Sequence, residues 1–195
     1  MSNTRFHVLA PFYSLARRPV QGVARYLVIA ALAGAGVTVS PSPAHAASST
    51  TCTGSSTVNY SPGLTNTPQT VTWTEADTYS SCTSTDPSLT AGSSSPVTIT
   101  LSGASCNGGG VFSSVNYTIN WNNSQSSTVT LTATDVIIGA TEQVTAVGTV
   151  TSGLFTGGTI TIVWLYPILN PLLCATPQGV TSQSGTVALQ ITVAP

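Results

Sequence analysis

The chain has 195 residues and no lysine, and all four arginines (Arg5, Arg17, Arg18, Arg25) and both histidines (His7, His45) fall within the first 46. Residues 47–195 carry five acids (Glu75, Asp77, Asp86, Asp135 and Glu142) and no base, a formal charge of −5. That balance argues against a nucleic-acid partner, which needs Lys or Arg at its phosphates, and against an anionic membrane surface. It also leaves no imidazole or ammonium to activate a nucleophile.

The first 46 residues read as an export signal. A basic region extends to Arg25, an apolar run follows from Tyr26 to Val39, and Ala44-His45-Ala46 gives the small-x-small pattern of a cleavage site. The apolar run is shorter than the ~20 residues needed to span a bilayer, which weighs against an anchor. Residues 47–195 then form a single secreted domain, long enough to bury a sizeable core. Serine and threonine supply 53 of its 149 residues, so its polarity comes from hydroxyls.

Ala47–Thr51 reads as a short polar, mobile leader. Strands are expected at about Thr57–Tyr60, Thr70–Ser81, Pro96–Ser102, Val111–Trp121, Ser127–Val136, Gln143–Thr151, Thr159–Leu165 and Gly185–Val193. The reason is alternation: Val97, Ile99 and Leu101 interleave with Thr98, Thr100 and Ser102, and Val187, Leu189, Ile191 and Val193 do the same near the C-terminal end. Turn chemistry separates the runs, at Ser61-Pro62-Gly63, at Asn122-Asn123-Ser124-Gln125 and at Gly153–Gly158. The expected fold class is all-β, an antiparallel β-sandwich of immunoglobulin-like or jelly-roll type with about eight strands. A closed barrel is the alternative. Thr186–Val193 is expected to be a late edge or closing strand.

Four cysteines, Cys52, Cys82, Cys106 and Cys174, all lie after Ala46. An even number in an exported chain points to two disulfides, and no C-x₂-C spacing or histidine supports zinc. Three pairings are possible. Cys52–Cys82 is favoured because the pair is centred on the Pro62–Pro68 turn, which leaves Cys106–Cys174.

No catalytic, cofactor-binding or metal-binding set stands out. Glu75 and Asp77 are two apart and share a face on a regular strand. With Asp86 they suggest a calcium site, but no D-x-D-x-D-G loop is present. Solvated edge charges, which deter sheet aggregation, are the plainer expectation. Asp135 and Glu142 flank Ile137-Ile138-Gly139-Ala140 and are placed to meet across a turn, the minimum for carboxylate-only glycoside hydrolysis. The aromatics suggest a platform that stacks on sugar rings. Trp73, Trp121 and Trp164 share faces with aliphatic residues and read as core. Tyr79 and Phe155 are the better candidates for exposure. Tyr166, which opens the apolar, proline-broken segment Tyr166–Leu173, joins them as a possible binding residue. That segment reads as a cap held by Cys174 or as a contact patch.

Several phrases carry a resemblance. They are Tyr60-Ser61-Pro62-Gly63-Leu64, Thr67-Pro68-Gln69-Thr70-Val71, Tyr79-Ser80-Ser81-Cys82-Thr83-Ser84, Trp121-Asn122-Asn123, Thr149–Phe155 and Leu173-Cys174-Ala175-Thr176-Pro177. Across nearly all of Cys52–Val193 the chain resembles small exported all-β proteins of actinomycetes that have no assigned function. The resemblance implies a bacterial, extracellular setting and brings no site residues. The function expected from the sequence is non-catalytic: a secreted or cell-surface-associated protein that binds a glycan, a cell-wall polymer or an extracellular protein. The alternatives are a carboxylate-only glycan-active enzyme, or an inhibitor or effector presenting an exposed loop.

Overall fold

The computed structural model describes residues 47–107 and 111–195, with 111–114 described through the backbone alone; the expected export segment lies outside these residues. Nine strands are present among them: β1 (Ser48–Leu64), β2 (Gln69–Ser84), β3 (Gly92–Ser94), β4 (Val97–Ala104), β5 (Val111–Trp121), β6 (Ser126–Ile138), β7 (Thr141–Gly153), β8 (Thr159–Pro167) and β9 (Val180–Val193). A single helical turn, α1 (Pro171–Cys174), begins on Pro171 and is capped by the Asn170 side chain, which accepts from the Leu172 N–H.

The sheet runs β1-β9-β8-β7-β6-β5-β3-β2 and returns to β1 through an antiparallel β1–β2 pairing. Eight strand positions therefore close into a barrel, and the expected sandwich does not form. The physical reason lies in β1. It extends from Ser48, well before the expected Thr57, and bonds along one edge to β2 and along the other to β9. With both edges satisfied, the first and last strands have no free ladder to leave at a sheet border. The expected mobile leader is part of this closure, since Ser48 pairs with Val193 and Ser49 with Thr192.

The barrel has one weak seam. β3 pairs with β5 over only three residues, Gly92↔Trp121 to Ser94↔Ile119. Ser95 N–H still donates to the Thr118 carbonyl at 2.9 Å. Pro96 follows, which has no N–H to donate, and β4 then pairs with β2 alone. A groove lined by Pro96, Val97, Ile99 and Val115 marks where β4 and β5 part.

Inward and outward residues alternate as the sequence suggests. Ile160, Ile162, Trp164 and Tyr166 of β8, and Val187, Leu189 and Ile191 of β9, point into the core. Thr130, Thr132 and Thr134 of β6 lie outside. At one end the interior is plugged by Leu89, Trp121 and Phe155, the last two meeting edge-to-face with ring centroids 6.2 Å apart. Cys52 and Cys82 sit directly opposite each other on β1 and β2 and are bonded. Cys106–Cys174 ties the segment after β4 to the end of α1, beside a small second core of Leu64, Val71 and Val180.

Candidate functional site

The end of the barrel opposite the plug is not filled. A cavity of about 70 Å³, or about 680 Å³ with its open approach included, lies among Val58, Val97, Val115, Leu131, Ala133 and Val144, with Tyr60, Trp73, Glu75, Glu142, Tyr166 and Gln183 also facing it. Its wall comes from inward-facing positions of eight strands, so it follows from the same period-two pattern that builds the core.

The floor of the cavity is a buried polar layer. Val71, Trp73, Glu75, Asp77 and Tyr79 occupy alternate positions of β2, and Val71, Glu75, Asp77 and Tyr79 are buried. Asp77 accepts hydrogen bonds from Trp164 Nε1, at 3.1 and 3.0 Å to its two oxygens, and from the Tyr117 hydroxyl. Tyr117 and Tyr79 are linked through their hydroxyls at 2.6 Å. A phenol has one hydrogen, so with Tyr117 donating to Asp77, Tyr79 is the donor in that link. Burial pushes the pKa of both phenols well up. The backbone N–H of Asp77 is held by Ser94 Oγ at 2.8 Å, which fixes β3 to this layer.

Glu75 stands one step nearer the opening. Burial first, then the neighbouring charge of Asp77 and a hydrogen bond to it, raise its pKa well above the ordinary carboxylate range. The Oε1 of Glu75 is buried and has no hydrogen-bond partner. An unsatisfied buried polar atom is costly, and the residue that carries it lines the cavity.

The mouth carries a second polar layer. Tyr60 donates to Gln183 Oε1 at 2.8 Å, and Gln183 Nε2 donates to the Pro167 carbonyl at 2.7 Å and to Glu142 Oε2 at 3.4 Å. Tyr166 and Ser56 are joined through their hydroxyls at 2.8 Å. Glu142 is also raised, mainly by burial, partly offset by Gln183 and reinforced by Asp135.

The expected site residues are distributed unevenly over this arrangement. Tyr166 lines the cavity. Tyr79, expected to be exposed, is fully buried in the floor, because it continues the inward phase of Val71 and Trp73. Phe155, also expected to be exposed, is buried at the opposite end. Its backbone turns left-handed at φ 65°, between Gly153 and Gly157, and this folds the ring back onto Trp121. The four cysteines are structural. Glu75 and Asp77 are not solvated edge charges, because their strand turns that face into the barrel. Asp86 lies apart, in an exposed turn where Ser88 donates to it from both hydroxyl and backbone. Across β6 and β7 Asp135 pairs with Val144 and Glu142 with Ile137, so the two acids are not directly opposed; the charge of Asp135 helps raise the pKa of Glu142, which faces the mouth. Tyr166–Leu173 is divided, with Tyr166 inside, Leu169 against the second core, and Ile168, Leu172 and Leu173 exposed. The floor and the Tyr60–Gln183–Glu142 layer were missed from sequence. The signal for the floor was the unbroken alternation from Val71 to Tyr79.

Among the described residues no cluster of three or more His, Cys, Asp or Glu is placed to hold a metal ion, and no helix is long and apolar enough to cross a membrane. No protein-family model, curated protein or solved structure matches this chain.

Proposed function

We propose that the chain is an exported, non-catalytic binding protein that holds a small, mostly apolar ligand in the open end of its barrel. The observation that carries this reading is the cavity beside Glu75, apolar over most of its wall and bearing a few convergent polar groups. Ligand sites of small-molecule carriers have that composition, and eight-stranded barrels are wide enough to hold one such ligand. Export is supported by two formed disulfides, which persist in oxidising compartments. Residence outside the bilayer is supported by the hydroxyl-rich outer positions, such as Thr130, Thr132 and Thr134, where a spanning barrel needs an apolar band.

The burial of Trp121 and Trp164 weighs against stacking on a glycan, which needs a flat, exposed platform. Carboxylate catalysis finds little support in the floor. Both oxygens of Asp77 are already engaged by Trp164, and Tyr117 donates to it as well, so it is not free to attack a sugar or activate a water. A second reading, contact with another extracellular protein, is favoured by a cluster of exposed apolar residues around the mouth. Ile137 and Ile138 are 63% and 62% exposed and Leu172 is 79% exposed, and Ile168 N–H bonds to the Ala140 carbonyl, which joins the two loops.

The test is a titration of the disulfide-bonded protein with 2-phenylethanol, followed through the fluorescence of Trp73 and Trp164 beside the cavity. A saturable change that disappears in Ala133→Phe, which fills the cavity, supports the ligand-pocket reading. No change in the parent protein overturns it.

A further inference from the structure

The barrel interior holds a buried acid that no basic side chain in the described structure is placed to partner. Glu75 is 5% exposed, its Oε1 has no partner, and it faces the cavity. After Ala46 the chain contains no lysine, arginine or histidine, so this part of the protein cannot supply the cation that would pair with it. A metal ion is a poor candidate, because hard cations want six or more oxygens, whereas Asp77 is already engaged by Trp164 and Tyr117. Tyr60, Trp73 and Tyr166 face the same space, and aromatic faces attract organic cations. Glu142 at the mouth adds a second acidic group on the approach.

Resting on the pocket reading above, we propose that the ligand is a small lipophilic amine, with its ammonium seated on Glu75 and its apolar body among the aliphatic and aromatic walls. The unpartnered oxygen becomes the acceptor of an N–H, and the missing counter-charge arrives with the ligand. Because burial favours the protonated form of Glu75, an ammonium seated there shifts the balance toward the carboxylate and releases a proton to the buffer, up to one per ligand. The titratable groups that surround Glu75 are Asp77 and Tyr79 on its own strand, Tyr60 from β1, Tyr117 from β5, Tyr166 from β8 and Glu142 from β7. β4 and β6 present apolar side chains there, and β9 presents Gln183. The phenols are raised by burial, so near neutral pH the released proton comes from the acids.

The experiment is isothermal calorimetry near neutral pH on the disulfide-bonded protein, using 2-phenylethylamine and its neutral counterpart 2-phenylethanol. Each titration is run in two buffers of different ionisation enthalpy. The amine is expected to bind about tenfold tighter or more, as a charge-assisted bond in a dry site implies. Proton release is expected with the amine and not with the alcohol. Glu75→Gln should bring the amine's affinity down to that of the alcohol. Equal affinities in the parent protein overturn the ammonium assignment but leave the pocket standing. Failure of both compounds to bind removes the pocket reading as well. Should Glu75→Gln not fold, proton release in the parent protein decides the matter, and tight amine binding without it overturns the assignment.

Discussion

Replacing Glu75 by glutamine removes an acid whose ionisation the fold opposes, and the consequence is a change in how stability depends on pH. Burial, the charge of Asp77 and the hydrogen bond to it all raise the pKa of Glu75 in the folded state. A group raised in this way contributes its full stability below its unfolded pKa, about 4.3. The contribution is lost as pH rises through the folded value. Within that window the folded state keeps a proton that the unfolded state has released, and stability falls by about 1.4 kcal/mol per pH unit. Glutamine has nearly the same volume and cannot ionise, so this slope is absent from the variant. Glu142 is raised too and adds a shallower fall of the same sign to both proteins. Urea unfolding of both proteins with disulfides intact, at steps from about pH 4 to about pH 8, measures the difference. The variant should gain on the parent steadily as pH rises, with m unchanged. Parallel curves, or a parent that gains on the variant with rising pH, would falsify the assignment of Glu75 as a buried protonated acid.

Three further outcomes follow from the same structure. Trp164→Phe deletes the indole N–H that bonds both oxygens of Asp77; a loss of about 2–3 kcal/mol is expected from the unfolding midpoint, because a buried carboxyl group loses one of its two side-chain donors. The Cys52–Cys82 and Cys106–Cys174 bridges span 30 and 68 positions. Opening either by paired Cys→Ala substitution should cost about 3–5 kcal/mol on the loop-closure model, with the longer loop costing more. In Gly54→Ala the new Cβ would overlap the Thr78 carbonyl beside the β1–β2 bulge; thermal unfolding should show destabilisation of about 1–3 kcal/mol, the range for overpacking.

The strands of this barrel were readable wherever apolar and hydroxyl residues alternate cleanly. Val97–Leu101 and Val187–Val193 are examples, and the Asn122–Gln125 hairpin was equally plain, with Ser124 taking the left-handed conformation in its turn. Barrel closure was not readable, because the N-terminal half of β1 is Ser48-Ser49-Thr50-Thr51 and Thr53-Gly54-Ser55, with Cys52 its single apolar residue. Those residues are in place through ladders to β2 and β9, and periodicity does not encode pairing partners. β3 is too short to leave a pattern. The site was half legible. Trp73 and Val71 showed which face of β2 turns inward, and Glu75, Asp77 and Tyr79 follow in the same phase. Residue type and phase disagreed there, and phase decided. Phe155 went the other way, since a ring between glycines reads as an exposed tip unless the left-handed turn that folds it back is known.

Methyl-resolved NMR of the disulfide-bonded protein, titrated with 2-phenylethanol, tests the ligand pocket most directly. Shift changes are expected to concentrate on Val58, Val97, Ile99, Val115 and Val144 at the open end, with Val150, Ile160 and Ile191 near the plug unmoved. Changes confined to Ile137, Ile138, Leu172 and Leu173 on the outer surface, or no changes at all, would contradict the pocket reading.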